Sequence, residues 1–270
     1  MLEAALPCGR LCYRAWGEGP DVVLLHGMLG CSRQWEAAAT LLGRSYRCWA
    51  LELPGIGASA PAPDMSLRGL SRWLEWACAA LPLASPWHLA GSSWGGALAL
   101  HAAALSPMRA RLRGLILAAP AHPLWRLGCG QRVMLTPLAA RAGAWLGAHA
   151  STGVHRALLE RIYGDPTRVL PGSVADYART LRRPHLGAAV AAYSRHFQHQ
   201  QDELRSACST LAMPVLLVWG DRDPVVPAAT APALQAALPR ATLKLLPGLG
   251  HLPFVEDPQA FAAAVLPFLS

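Results

Sequence analysis

The chain has 270 residues, 53% hydrophobic and 15% charged, with a net charge of +8 at pH 7; that length fits one α/β domain with room for an insertion. Its mean hydropathy of +0.26 rests largely on alanine, no apolar run reaches the roughly 18 residues of a membrane span, and no apolar leader core accompanies Arg10 and Arg14, so a cytoplasmic protein without a membrane span is expected. Seven scattered cysteines without a C-x-x-C pair read as reduced, buried thiols, and the lack of a Lys/Arg tract or aromatic repeat speaks against nucleic acid as a partner.

Short apolar runs alternate with longer helical patterns, the signature of βαβ units feeding a mostly parallel sheet. Residues 11–16 read as an edge strand, and 22–25 as a buried strand ending at His26-Gly27. A helix is predicted over 32–42 with Ser32 as its N-cap, then a strand over 46–53 closed by Pro54-Gly55. Residues 66–81 read as a helix, 87–90 as a strand, 94–105 as a helix and 115–119 as a strand. From 121 to 205 the β-branched runs stop, and Arg/Ala/Leu helical stretches are broken by Pro137, Pro166, Pro171 and Pro184. This segment is expected to be a helical cap inserted into a core of residues 1–120 and 206–270. It also holds most of the basic excess, eleven arginines against five acids. Strand signals return at 215–219 and 242–246, each followed by a helical pattern, 228–238 and 258–269.

The strongest local signal is Gly91-Ser92-Ser93-Trp94-Gly95, a G-x-S-x-G sequence between a predicted strand and a predicted helix. A serine on such a sharp turn needs glycine neighbours, because backbone passes where a Cβ would clash. Its hydroxyl is then presented above the sheet, and the Trp94 N–H at the helix start can face a developing oxyanion. A lone serine hydroxyl is a poor nucleophile near neutral pH, so a base and an orienting acid are required later in the chain. Residues 214–224 offer Asp221 and Asp223 at the end of a buried strand, and Gly250-His251-Leu252 sits between the last strand and last helix. His251 is the expected base.

Here the chain resembles the α/β-hydrolase family. Gly220, Asp223 and Pro227 match its G-x-x-D-x-x-x-P pattern, which implies Asp223 as the acid and leaves Asp221 to form the turn. His26-Gly27-Met28-Leu29-Gly30 is similar to the family's H-G-x-x-G loop, which implies the Met28 N–H as a second oxyanion donor and His26 as structural. Glu52-Leu53-Pro54-Gly55-Ile56-Gly57-Ala58-Ser59 follows D-x-x-G-x-G-x-S with Glu replacing Asp. The stretch 252–258 resembles the family's segment after the histidine, which caps the last helix and shapes the pocket rim. The resemblance implies an α/β fold with a mostly parallel eight-stranded sheet flanked by helices, and a substrate site that includes Met28, Trp94 and Leu252.

Within that family Ser93 stands where epoxide hydrolases and haloalkane dehalogenases place aspartate, and other branches are set apart by Ser92, Ala97, Leu252 and the 26–30 loop. Hydrolysis of a carboxylic ester or thioester through an acyl-enzyme is therefore expected, without cofactor. A lyase, acyltransferase or cofactor-free haloperoxidase on the same three residues is the alternative, and a non-catalytic receptor the more distant one. The length and cap placement are similar to pimeloyl-carrier methyl ester esterases. On that resemblance Arg179, Arg182, Arg183 and Arg195 are expected to dock an acyl carrier protein or coenzyme A thioester; solvated helix faces are the plainer account. His196 and His199 form an H-x-x-H without a carboxylate partner and are expected to hold no metal. Trp35, Trp73, Trp76 and Trp87 are assigned to packing.

Overall fold

The computed structural model describes residues 1–126, 128–134 and 136–270. Eight strands form one sheet: β1 (Leu2–Leu6), β2 (Gly9–Trp16), β3 (Asp21–Leu25), β4 (Arg47–Leu51), β5 (Trp87–Ser92), β6 (Leu112–Ala118), β7 (Val215–Gly220) and β8 (Ala241–Leu246), in the order β1-β2-β4-β3-β5-β6-β7-β8. The β1/β2 and β2/β4 pairs are antiparallel and every other pair is parallel. The central strands β3, β5 and β7 are buried at every position, as a sheet covered on both faces requires.

The helices are α1 (Glu36–Leu42), α2 (Leu67–Ala79), α3 (Ser93–Leu105), α4 (Cys129–Met134), α5 (Pro137–His149), α6 (Thr152–Glu160), α7 (Pro171–Leu181), α8 (Leu186–His199), α9 (Gln201–Cys208), α10 (Ala231–Ala237), α11 (Pro253–Glu256) and α12 (Pro258–Leu269). Strand alternation sorts them. Val23, Leu25, Leu89, Leu117 and Leu217 point to the face covered by α2, α3 and α10, while Val22, Leu24, Ala90, Ile116 and Val218 point to the face covered by α1 and α12. Trp73 and Trp87 pack on the first face and Trp35 on the second, each 1% exposed or less. Trp76 differs, carrying the Arg72 guanidinium over its ring 5.9 Å from the centroid, within cation–π reach.

Several boundaries differ from expectation for local reasons. Residues 11–16 do not form the edge, because β1 pairs outside them; its half-exposed LEAAL sequence lacks an apolar alternation. Ser32 does not cap an α-helix. It opens a 3-10 turn (Ser32–Trp35) ahead of α1, and its N–H and hydroxyl both donate to Glu52 Oε1, at 2.9 and 2.6 Å. Residues 228–230 likewise form a 3-10 turn before α10. Pro137 and Pro171 open α5 and α7 instead of breaking them, where a missing N–H costs nothing. Between β6 and β7 the described residues contain helices and turns only, and the last of these helices ends at Cys208. Among the described residues no helix is long and apolar enough to cross a membrane.

Candidate active site

Ser93 begins α3 directly after β5, with φ of 51°. A non-glycine residue held in the left-handed region carries strain that the surroundings must impose. The glycines impose it here. A Cβ on Gly91 would run into the Gly95 carbonyl, and one on Gly95 into the carbonyls of Leu25 and His26. From the other side, a Cβ on Gly27 would lie 3.0 Å from the Ser93 Cβ. The Ser93 carbonyl accepts from the Ala121 N–H at 2.9 Å, tying the turn to the end of β6.

Asp223 follows β7 and is buried. Its Oδ2 meets His251 Nδ1 at 2.8 Å, while Oδ1 accepts from the N–H groups of Val225 and Val226 at 2.8 and 3.0 Å. Every lone-pair direction of this carboxylate that counts is thus filled, and His251 keeps Nε2 for a proton. Asp221, the other acid of this loop, is exposed and accepts from the Gly248 N–H at 2.7 Å. It joins the two loops as a turn residue. The Trp219 indole N–H donates to the Val226 carbonyl at 2.9 Å, fixing the far end of the acid loop.

The His251 loop is held by Glu256, whose role the sequence did not disclose. Its buried carboxylate accepts from the N–H groups of Gly250 (2.9 Å), Leu252 (3.3 Å) and Gly164 (2.8 Å). Burial pushes its pKa above the usual carboxylate value, against those three donors, which pull it down. The His251 N–H itself donates to the Ile162 carbonyl at 2.9 Å. Gly164, Gly220 and Gly250 let these backbones touch, since a Cβ on any of them would strike main-chain atoms of the others or of Leu249 and Ile162. A segment between β6 and β7 therefore forms part of the frame around the histidine.

The 26–30 loop lies across from Ser93. His26 is fully buried, accepts from the Leu53 N–H at 3.0 Å through Nε2 and donates through Nδ1 to the Gly27 carbonyl at 2.8 Å. Burial pushes its pKa down, against the pull of the Glu52 carboxylate. It is a brace for the loop. Leu29 takes φ of 62° and the Gly30 N–H closes a turn onto the Gly27 carbonyl at 3.1 Å. Glu52, standing where the family pattern has aspartate, reaches Ser32 on one side and the Ala58 N–H on the other at 2.7 Å. Burial opposes its charge, but the neighbouring His26 and then these donors hold its carboxyl below the usual value.

Ser93, His251, Met28 and Trp94 line one cavity of about 720 Å³, whose other walls are Leu29, Trp125, Ile162, Tyr177, Phe197 and Val225. Leu252 is not on this wall; it lines a neighbouring pocket of about 40 Å³ that also touches Ser93 and His251. The Trp94 ring stacks on Tyr193 at 5.2 Å and meets the edge of Phe197 at 5.2 Å, so α8 forms the roof above the serine turn. Of the four arginines expected on a docking face, Arg183 turns inward: it donates to the Gly57 carbonyl at 2.8 Å and lies 3.7 Å from Glu52. Arg179 pairs with Asp176, Arg182 donates to the Ala148 carbonyl at 3.4 Å, and Arg195 is exposed. His196 is half-buried and His199 exposed on α8. Among the described residues no group of three His, Cys, Asp or Glu side chains is placed to hold a metal.

A profile of the alpha/beta hydrolase fold matches residues 20–258. The chain belongs to the alpha/beta hydrolase fold family. It is 29% identical over 252 residues to a pimeloyl-[acyl-carrier protein] methyl ester esterase of Nitrosomonas europaea, covering 92% of this chain and 94% of that one. A protein of the same name from a Shewanella species is 30% identical over 266 residues, covering 94% and 92%. Among solved structures, an alpha/beta hydrolase fold protein from Burkholderia ambifaria superposes with a TM-score of 0.81 at 25% identity, over 96% of this chain and 94% of that one. As an alpha/beta hydrolase the chain has the eight-stranded, mostly parallel sheet of that fold.

Proposed function

We propose that Ser93 is the nucleophile, His251 the general base and Asp223 the orienting acid of an acyl transfer that ends on water. The chain is a carboxylic ester hydrolase, in the company of relatives named as methyl ester esterases. What carries the mechanistic reading is the 2.8 Å contact between His251 Nδ1 and the buried Asp223 carboxylate, on a histidine that shares its cavity wall with Ser93. Ser93 Oγ bonds to the ester carbon while its proton passes to His251 Nε2, and the backbone N–H groups of Met28 and Trp94 receive the oxyanion. The same proton leaves with the alcohol or thiol as the acyl-enzyme forms. Water then attacks, gives a proton to His251, and the acid departs as Ser93 takes that proton back.

The apolar walls suit an acyl chain, and their volume of about 720 Å³ falls within the roughly 300–1,000 Å³ of small-molecule sites. Turnover of p-nitrophenyl esters of increasing acyl length, run beside Ser93→Ala, tests the reading. Loss of at least about 10⁴-fold in kcat is expected, and an unchanged rate overturns it. A carrier-bound acyl ester is the finer reading, supported by the names of the relatives and the cationic segment between β6 and β7. Equal kcat/KM on free and carrier-bound methyl ester, unmoved by Arg182→Glu with Arg195→Glu, would remove it.

A further inference from the structure

The large apolar side chains that stand in solvent are concentrated between β6 and β7. Leu138 is 81% exposed, and Val133, Trp145, Leu146 and Leu170 are each 62–63% exposed. On α5 the exposed positions are 137, 138, 141, 142, 145, 146 and 149, the spacing of a single helix face. That face is inverted relative to an ordinary surface helix, since it offers Leu138, Ala142, Trp145 and Leu146 to water beside Arg141 and His149. On α6 the exposed positions are 152, 153, 154, 156, 157 and 158, with Val154, Ala157 and Leu158 the apolar ones beyond Gly153, and the exposed Arg161 follows.

The two helices are packed together. Both helices touch α7, Gly147 of α5 against Leu181 and His155 of α6 edge-on to Tyr177, while α5 also packs on α8 where Gly187 meets the Ala140 carbonyl. The buried His155 ring also joins α6 to α5 through a 2.7 Å contact with the Gly147 carbonyl. Charge on this side has one sign. No aspartate or glutamate occurs from residue 76 through 159, and Glu160, the first acid, is paired with Arg156 at 2.8 Å. Arg161 ends the α6 stripe and lines the cavity that holds Ser93 and His251.

We propose that the outward face of α5 and α6 docks onto an anionic lipid surface, with Leu138, Trp145, Leu146, Val154 and Leu158 entering below the headgroups and Arg141 and Arg161 at the phosphate level. Exposed apolar area flanked by arginine, with its one carboxylate, Glu160, already paired to Arg156, is the composition of helices that lie in a membrane interface. An acidic protein would be met mainly by ion pairs, whereas here bulky apolar groups dominate and Arg156 is already neutralised. Docking in this pose brings Arg161, which also lines the cavity of Ser93 and His251, to the surface into which apolar esters partition. The inference does not depend on which ester is cleaved, because binding is read without turnover.

Co-sedimentation of the full chain with vesicles tests it, comparing phosphatidylcholine alone with an equal mixture of phosphatidylcholine and phosphatidylglycerol. Binding to the anionic vesicles is expected, weakened by raising salt from 0.1 to 0.5 M. Trp145→Ser with Leu146→Ser should reduce that binding at least about 10-fold, while hydrolysis of a short soluble ester stays at the wild-type rate and reports an intact fold. Three results overturn the proposal: no binding to anionic vesicles, equal binding by wild type and variant, or capture of the face by an acidic acyl carrier protein with vesicles ignored.

Discussion

The serine side and the histidine side of the site are built by different means. Ser93 is fixed by backbone against backbone within the core, through Gly27, Gly91 and Gly95 and an α3 that is buried from Trp94 to Ala104. His251 is fixed by two buried carboxylates and by the main chain of residues 162–164, which belongs to the segment between β6 and β7. The place of Ser93 therefore depends on little but the sheet. The place of His251 depends on hydrogen bonds that side chains and a separate layer must supply.

The sharpest break of that contrast is Asp223→Asn. An amide in place of the carboxylate can leave His251 in the wrong tautomer without moving Ser93, so kcat should fall by about 10⁴ with Tm little changed. Steady-state kinetics on a p-nitrophenyl ester and a melting scan decide it, and a loss under tenfold would mean another acid orients the histidine. Next in size, Gly250→Ala would drive a Cβ into the main chain at Ile162 and Tyr163 and push that layer away from the histidine. A kcat loss of roughly 10² is expected in a folded protein, whereas Gly95→Ala, which strikes the core, should lower Tm far more than Gly250→Ala. Equal melting of the two variants would erase the distinction between the sides.

Glu256→Gln is the milder probe. The amide keeps one oxygen acceptor and presents an NH₂ to the remaining donors, so at least one of the Gly164, Gly250 and Leu252 N–H groups loses its partner, at about 1–3 kcal/mol for a buried donor. A kcat decrease of roughly tenfold with KM nearly constant is expected, since the histidine loosens and the cavity walls stay. A moved acidic limb in the pH profile would add that the Glu256 charge, which burial already disfavours, acts on His251. A variant that melts normally and turns over at the wild-type rate would return Glu256 to a purely structural role.

The sheet and the elbow were legible because each rests on local sequence: apolar runs of buried strands, and glycines spaced about Ser93. Asp223, His251, Met28 and Trp94 followed from motif and from family resemblance, and the structure places Met28, Trp94 and His251 on the cavity wall with Ser93 and sets Asp223 against His251. What stayed hidden is long-range. Glu256 reads as one more acid before a helix until Gly164, 92 residues earlier, is seen on its carboxylate. Arg183 reads as one more exposed arginine until Gly57 and Glu52 are found beneath it. The edge strand β1 has too little apolar alternation to announce itself.

The smallest expected effect separates geometry from stability. The serine side contains three histidines that burial pushes down to about 4: His88 on β5, His101 on α3 and His122 after β6. Their unfolded pKa is near 6.5, so between pH 6.5 and 4 the unfolded chain binds protons that the folded chain refuses. The stability they contribute is complete above 6.5 and is lost progressively as pH falls toward 4. Calorimetry should therefore show a Tm almost level from pH 8 to 7 and lower by several degrees at pH 5. Activity lost at pH 5 at a temperature well below that Tm would come without unfolding, while the serine elbow stays in place. A Tm independent of pH across this range would mean that the three rings open to solvent, and the core would then be a looser support for Ser93 than its glycine contacts indicate.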